Sequence, residues 1–436
     1  MNFEEALQYL LSLGHETLAM KLGLRNTELL LEGLGNPHTS YESVQIAGTN
    51  GKGSTAVMLD SICRAGGIRT GLYTSPHLVS IIERIKIDGS EISTAEFAQL
   101  ATEVRQTADS LLTENEIEAL PTFFEHVTAI ALLAFKKAGV QLAILETGLG
   151  GRLDATTVAG ATTVAITPVA MDHEEYLGNT ISEIAAEKAA IIRPGVNAII
   201  GNQTPEPLRV ILNRSSEAGV APDVGVPEFE VEEATDDGRY NVSLKTTHDE
   251  YEHLTIGLRG HHQIENALLA IRIAESLRQQ GLTISRTAIF EGIKRATYSG
   301  RLEIIDGSPP VLLDGAHNPA GACVLRRYLD KHVDGPITLI FGAMKDKKLD
   351  EITKLLFPKA AQLIITTPQN PRAAEREFLR KLAMHHLPPA NTHVALSTGT
   401  ALRKAKELTP HGGLICVTGS LYLVGEAKSV LDQHLE

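Results

Sequence analysis

The sequence predicts an α/β protein of two domains: a phosphate-loop, parallel-sheet domain with a small antiparallel appendage, followed by a smaller C-terminal α/β domain. Three observations support this. Residues 44–62 pass from an apolar β-prone run, Val44 to Ala47, through Gly48-Thr49-Asn50-Gly51-Lys52-Gly53-Ser54-Thr55 into a helical pattern with Val57, Met58, Leu59 and Ile62 on one side. From about residue 311 onward, apolar runs alternate with helical patterns, as parallel strands joined by crossover helices require. At 436 residues the chain also exceeds what one hydrophobic core usually spans.

Bulk properties narrow the function classes. Apolar residues make up 43% and charged residues 21%, ordinary for a globular protein. The net charge of −13 excludes nucleic acid as a partner, since a phosphate backbone needs a basic surface, but leaves room for a small anion in a locally basic pocket. Cys63, Cys323 and Cys416 lie far apart without a C-x-x-C pair and read as reduced thiols. The start, M-N-F-E-E-A-L-Q-Y-L, carries early acids instead of a basic leader, and no run of about 18 apolar residues occurs. The expectation is a soluble, cytoplasmic protein with no membrane partner.

Taken in order, residues 3–13 place Phe3, Ala6, Leu7, Leu10 and Leu11 at helical spacing, and a leucine-rich segment 27–34 ends at Gly33-Leu34-Gly35-Asn36-Pro37. The glycine-rich turn comes next. Without Cβ atoms its backbone can curl so that successive N–H groups converge on an anion, and the helix N-terminus adds partial positive charge. Lys52 is placed to reach the β- and γ-phosphates of a nucleotide, and Ser54 or Thr55 to offer a hydroxyl to Mg²⁺. The spacing is shorter than G-x-x-x-x-G-K-[ST], with a glycine between lysine and serine, and the alternative is a βα turn that binds nothing. Residues 69–73 form a second strand followed by Thr74-Ser75-Pro76-His77-Leu78. Either Ser75 and His77 face the nucleotide site from a strand's C-terminal end, or they form a Ser-Pro turn with an exposed histidine.

Pro121-Thr122-Phe123-Phe124-Glu125 opens an apolar helix to about Lys137, with Thr122 and Glu125 fitting a capping box. The two phenylalanines also suit a stacking surface for a flat ring. Val140 to Leu145 is a buried strand closed by Glu146, an acid in the position that holds Mg²⁺ beside a phosphate loop. Thr162 to Thr167 is another strand, with Met171-Asp172-His173 behind it. A helix begins at a second capping box, Thr180 to Glu183, and stops at Arg193-Pro194-Gly195. Within it Lys188 lies among small and apolar residues, either snorkelling to solvent or serving as an amine whose pKa burial has lowered.

From about 224 to 258 the pattern has a period near two and turns across Asp236-Asp237-Gly238, which reads as an antiparallel hairpin or small sheet. A helix follows from His262 to about Gln280, another over 285–295, and Tyr298-Ser299-Gly300-Arg301 reads as a linker. The expected domains are therefore 1–297 and 302–436, with 298–301 between them. In the second, strands at 311–314, 337–341, 361–366 and 413–418 alternate with helices at 320–330, 347–356, 373–385 and 399–408. Its first strand ends in Asp314-Gly315-Ala316-His317-Asn318-Pro319, polar groups placed to reach a nucleotide across a cleft.

In this order the motifs resemble the ATP-dependent Mur ligase superfamily, and within it the folate branch. The resemblance runs through L-G-N-P at 34–37, A-G-T-N-G-K-G-S-T at 47–55, T-S-P-H-L at 74–78, P-T-F-F-E at 121–125, E-T-G-L-G-G-R-L-D-A-T at 146–156, H-Q-I-E-N-A at 262–267, G-R-L-E at 300–303, L-D-G-A-H-N-P at 313–319 and V-T-G-S-L-Y-L-V-G-E at 417–426. It implies a central-domain-type ATPase fold joined to a Rossmann-like glutamate ligase domain. It also implies an amide ligase acting through an acyl phosphate, with ATP, L-glutamate and either dihydropteroate or folates as substrates.

By the same resemblance, Gly48, Thr49, Asn50, Gly51, Lys52, Gly53, Ser54 and Thr55 hold the phosphates, and Asn266, Arg301, Asp314 and His317 contact the nucleotide. Ser75, Glu146 and His173 match Mg²⁺ positions, two ions being expected, with a monovalent cation such as K⁺ in addition. Lys188 matches a lysine that CO₂ converts to an anionic carbamate. Lys52, Glu146, His173 and Lys188 are the catalytic set, and Thr122, Phe123, Phe124, Glu125, Arg152, Leu153, Asp154 and Ala155 the pterin-binding set. Thr147, Thr157 and Ser299 depart from the usual valine, asparagine and proline.

Two other readings compete with this one. A cell-wall precursor ligase would carry an additional N-terminal domain, for which the 43 residues before the first strand leave too little chain. A nucleotide switch without ligase activity would need the phosphate loop but not Glu146, His173 and Lys188 together. A monomer is the expected state.

Overall fold

A computed structural model describes residues 1–14, 23–225 and 228–433; two positions of the alternating stretch, 226 and 227, lie outside the described residues. Sixteen strands fall into three sheets among the described residues. The first holds β1 (Glu42–Ala47), β2 (Thr70–Tyr73), β3 (Ile85–Ile87), β4 (Ser90–Glu91), β5 (Leu142–Glu146), β6 (Thr163–Ile166) and β7 (Asn197–Ile200), in the order β4-β3-β2-β5-β1-β6-β7. Strands β2, β5, β1, β6 and β7 run parallel, and β3 and β4 add an antiparallel edge.

Alternation along these strands divides the cores. Leu142 and Ile144 of β5 face a cluster with Val57, Met58, Leu268 and Ile289, while Ala143 and Leu145 face another with Phe97, Val127 and Phe135. That is the period of two expected of a strand covered on both faces. The first layer comprises helices Lys52–Ala65, His262–Gln279 and Arg286–Arg295; the second comprises Phe3–Ser12, Thr94–Thr113 and Phe123–Ala138. Both expected capping boxes are present, at Thr122/Glu125 and Thr180/Glu183. The helix Thr94–Thr113 is an addition to the sequence reading, as its apolar stripe is diluted by surface polar residues.

β8 (Glu228–Ala234), β9 (Tyr240–Lys245) and β10 (Glu250–Ile256) make the antiparallel appendage, ordered β10-β9-β8. Only its inner face is apolar, where Tyr240, Val242, Tyr251 and Leu254 join the first core cluster.

The third sheet holds β11 (Glu303–Ile305), β12 (Val311–Leu313), β13 (Ile337–Phe341), β14 (Ala360–Ile365), β15 (Thr392–Val394) and β16 (Leu414–Thr418), ordered β11-β12-β16-β13-β14-β15. All neighbours are parallel except β11 with β12. The sequence reading finds four of these strands; β11 and β15, three residues each at the two edges, are too short to show a period. The final helix, Leu421–Asp432, covers this sheet and is likewise additional. Among the described residues no helix is long and apolar enough to cross a membrane.

Candidate active site

In an open parallel sheet, ligands bind beyond the C-terminal ends of the strands, where the strand order reverses. Here both large sheets turn those ends toward one cleft. From the first sheet, β1 leads into residues 48–54, β2 into Ser75, β5 ends in Glu146, and β6 leads to Asp172 and His173. From the third, β12 leads to Asp314 and His317, β13 to Met344 and Lys347, β14 to Arg372, and β16 to Ser420.

At one end of the cleft, Gly48 to Ser54 wrap a cavity whose other walls include Glu146, His173, Lys188, Asn266, Arg301, Asp314 and His317. Gly51 sits at φ 91° as the N-cap of helix Lys52–Ala65, and a Cβ there would lie 2.3 Å from Asn266 Oδ1. Only glycine lets the loop and the helix of Asn266 approach so closely. Lys52 Nζ folds back to donate to the carbonyls of Gly48 (3.2 Å) and Thr49 (3.3 Å). Ser54 faces the cavity within reach of Gln263, whose amide donates to its hydroxyl at 3.3 Å. Thr55 does not: one helical step further, it is fully buried, its hydroxyl enclosed without a partner.

Glu146 is 4% exposed and accepts from the Ser75 amide at 3.1 Å. Burial pushes its pKa up, opposed by the charge of Lys52. Lys188 is equally enclosed, and its Nζ donates to Gly48 O at 2.7 Å. Burial, helped by the nearby Lys52 charge, lowers its pKa to about 7. This answers the open question about Lys188: it is an interior amine and does not snorkel. His173 takes a left-handed backbone (φ 52°), and burial brings its pKa down to about 3, leaving a neutral ring. His77, in contrast, turns away from the nucleotide end; Arg84 Nε donates to its Nδ1 at 2.8 Å.

Asp314 holds the chain just after the linker to the third sheet, accepting from the amides of Leu302 and Ala316, both at 3.0 Å. His317 Nδ1 pairs with Gly315 O at 2.8 Å. Arg301 stacks over Tyr298 with its guanidinium 5.8 Å from the ring centroid.

At the other end of the cleft lies a second pocket, lined by Thr122, Phe124, Glu125, Leu153, Asp154 and Ala155 on one side and Met344, Lys347, Arg372 and Tyr422 on the other. Two residues of the expected pterin set stand elsewhere. Phe123 is 3% exposed in the core, because adjacent helix positions are turned by about 100° and only one of the pair can face the pocket. Arg152 is largely exposed and ion-paired with Glu187 at 2.9 Å. Two of the acids are committed to structure: Glu125 accepts from Thr27 Oγ1 and the Thr122 amide, and Asp154 accepts from the amides of Gly148, Leu149 and Thr156. The departing Thr157 is also structural, accepting from Gln45 and donating to Gly151 O, whereas the Thr147 hydroxyl is buried without a partner.

The two pockets adjoin. Ser75, Pro76, Gly148, Leu149, His173, His317 and Leu421 line both. Sequence reasoning missed the wall residues Gln263, Lys347 and Arg372. For the last two, the available signal was their position just past the C-terminal ends of apolar strands.

For a divalent cation, the donor set next to the phosphate loop is a buried carboxylate, Glu146, with Ser75 lining the same cavity, which suits a hard ion. Among the described residues no group of three or more His, Cys, Asp or Glu is placed to hold a metal by protein side chains alone.

Comparison with known proteins agrees with this architecture. The Mur ligase middle domain matches residues 46–274, and the Mur ligase glutamate ligase domain matches residues 300–421. The chain is 34% identical over 435 residues to the probable bifunctional folylpolyglutamate synthase/dihydropteroate synthase of Haloferax volcanii, covering 98% of itself but 50% of that relative. The chain thus spans about half the length of that protein. It is also 34% identical over 438 residues to the dihydrofolate synthase/folylpolyglutamate synthase of Mycobacterium tuberculosis, covering 94% of this chain and 90% of the relative. Among solved structures, Mycobacterium tuberculosis folylpolyglutamate synthase complexed with ADP superposes with a TM-score of 0.91 at 33% identity, covering 98% and 99% of the two chains. Escherichia coli FolC in complex with DHPP and ADP gives 0.86 at 30% identity, covering 100% and 99%. The Yersinia pestis bifunctional folylpolyglutamate synthase/dihydrofolate synthase complexed with AMPPNP and Mn gives 0.85 at 27%, covering 99% and 98%. Two family domains in series, matched over the stretches that wall the cleft, make this chain a member of the Mur ligase family, in its folylpolyglutamate synthase/dihydrofolate synthase branch.

Proposed function

We propose that the chain is an ATP-dependent amide ligase that joins L-glutamate to dihydropteroate and to the γ-carboxylate of reduced folates. The observation that carries this is that the two pockets adjoin, with Ser75, Gly148, His173 and His317 lining both. A phosphoryl donor at one end and a carboxylate acceptor at the other must meet, and the shared residues mark where they do.

A carboxylate is a poor electrophile until one oxygen becomes a phosphate ester, and moving a phosphoryl group onto an anion requires concentrated positive charge. The loop amides, Lys52 and Arg301 supply that charge at the nucleotide end. The γ-phosphoryl passes to the carboxylate of the substrate and ADP departs. The neutral amine of glutamate then attacks the acyl carbon: a C–N bond forms, the C–O bond to phosphate breaks, and the amine gives up its proton. On the C-terminal wall Lys347 is engaged by Asp172, whereas the Arg372 guanidinium has no ion-pair partner among the described residues, and we assign it to the carboxylates of the incoming glutamate. Phe124, Leu153 and Ala155 provide the apolar faces for the flat ring.

Ser75 and Glu146 would hold Mg²⁺, with His173 and a carbamylated Lys188 near a second ion; bound there, the metal supplies charge neutralisation at the phosphates. An amine with a pKa of about 7 has the neutral fraction that reaction with CO₂ requires. We extend the reading to a cytoplasmic monomer, divided at residues 298–301, since one chain furnishes both walls of the cleft and its three cysteines are free.

The test is phosphate release from ATP and Mg²⁺ by the purified chain with L-glutamate, comparing dihydropteroate with tetrahydrofolate. Release with both, accompanied by glutamylated products, is the expected result. Release with tetrahydrofolate alone restricts the enzyme to tail extension, and no release with either overturns the reading. Omitting or adding K⁺ in the same assay decides the monovalent cation.

A further inference from the structure

The first and third sheets are tied across the cleft by a cluster centred on a residue that the chemistry above does not use. Asp172, on the loop after β6, is 9% exposed. Its Oδ1 accepts from Lys347 Nζ at 2.7 Å and from the His173 amide at 2.9 Å. Its Oδ2 accepts from Asn318 Nδ2 at 3.1 Å and lies 3.5 Å from His317 Nε2. Three of these four partners come from the far side of the cleft, on loops after β12 and β13. The Lys347 side chain is 9% exposed, so the ion pair is largely withdrawn from water. Asn318 also donates to Asn50 Oδ1 of the phosphate loop at 3.0 Å, while its own Oδ1 caps the helix Pro319–His332 through Gly321 N at 2.8 Å. A second, more exposed pair, Lys348 with Glu174 at 2.6 Å, flanks the first.

We propose that Asp172 is a positioning residue, the N-terminal half of a latch with Lys347 and Asn318 that holds the C-terminal sheet closed over the reacting groups. The argument is one of asymmetry. A buried ion pair is strongly favoured over either partner left alone in the same place, so the closed arrangement tolerates both charges or neither. Opening the cleft returns both charges to water, and closing it must bring them together in register. The contact between Asn318 and Asn50 places the same latch against the phosphate loop. A closed cleft excludes the water that would hydrolyse an acyl phosphate, so the latch bears on coupling more than on nucleotide affinity. This inference rests on the ligase reading given above.

The test uses the full chain with Asp172→Asn and Lys347→Met, singly and together. Two quantities are measured: phosphate released per amide formed at saturating substrates, and the distance between spin labels on the two domains without substrates. The unaltered chain making amide in step with phosphate establishes the ligase reading independently of the latch. Each single variant is expected to release phosphate in several-fold excess over amide and to broaden the interdomain distance, with nucleotide affinity within about threefold. The double variant should recover part of what the worse single one loses, because with neither charge present the closed cleft buries no unpaired charge. Phosphate and amide remaining in step in both single variants, with an unchanged distance, overturns the proposal. So does strict additivity of the two substitutions. Should Asp172→Asn fail to fold, Lys347→Met carries the test by itself through the same two readouts.

Discussion

At the nucleotide end of the cleft the walls are backbone amides and enclosed charges; at the other end they are side chains. Gly48 to Ser54 are consecutive residues of one loop and the helix it opens, and Glu146 and Lys188 act there from buried positions whose titration burial has altered. The second pocket takes Phe124 and Leu153 from one sheet's surroundings and Met344, Arg372 and Tyr422 from the other's. Its members are separated by up to nearly the length of the chain. A site made from backbone depends on local geometry and tolerates little change at any position, whereas a site assembled from dispersed side chains loses one contact at a time. The sizes of mutational effects should divide accordingly.

The largest effect is expected from Lys188→Ala. The amine sits within 2.7 Å of the phosphate loop at Gly48 O, and its removal takes away the buried group proposed for conversion to an anionic carbamate. Turnover should fall on the order of 10³-fold, while ATP affinity, followed with a fluorescent nucleotide, stays within about threefold. Surviving turnover would remove Lys188 from the chemistry and weaken the contrast between the two ends.

Gly148→Ala probes the junction. A Cβ at this position stands 2.5 Å from Phe124 Cζ, so the ring must move. The KM for dihydropteroate should rise about 10- to 100-fold, the cost of overpacking, with the KM for ATP nearly unchanged. Equal increases in both would mean that the two pockets respond as one.

Phe124→Ala and Phe123→Ala sharpen the comparison further. The first should raise the KM for dihydropteroate about tenfold through the loss of one aromatic face. The second opens a cavity in the core and should lower stability by about 3–5 kcal/mol in denaturant titration, with substrate KM values little affected. Reversed outcomes would exchange the two assignments.

These neighbouring phenylalanines also show what a sequence discloses. The phosphate loop was legible because glycines, a lysine and hydroxyls at fixed spacing state a backbone geometry directly, and Glu146 because it closes an apolar strand. Which of two adjacent helical residues faces the pocket was not legible, for the phenylalanines or for Ser54 and Thr55, since a step of about 100° inverts the answer and depends on how the helix docks. Lys347 was missed for a different reason. In A-M-K-D-K-K a lysine reads as solvated charge, and only the approach of Asp172 from the other sheet makes it an interior partner. The short edge strands β11 and β15 escaped because three residues cannot display a period.

Arg152→Ala should have the smallest effect. Its position within G-L-G-G-R-L-D-A-T places it beside the second pocket in sequence, yet its side chain is 57% exposed and lies against Glu187 on a neighbouring helix. Exposed ion pairs contribute about 0–1 kcal/mol, since Coulomb attraction in water barely exceeds the loss of side-chain freedom. The segment is also held by backbone, with the Arg152 amide donating to Glu187 O at 3.0 Å and Asp154 gathering three amides around its carboxylate. Neither restraint needs the guanidinium. Changes in kcat and in the KM for dihydropteroate should both stay below about twofold. A larger rise in KM would mean that Arg152 leaves Glu187 to meet the substrate, and that the side-chain end of the cleft reorganises on binding while the backbone end is formed in advance.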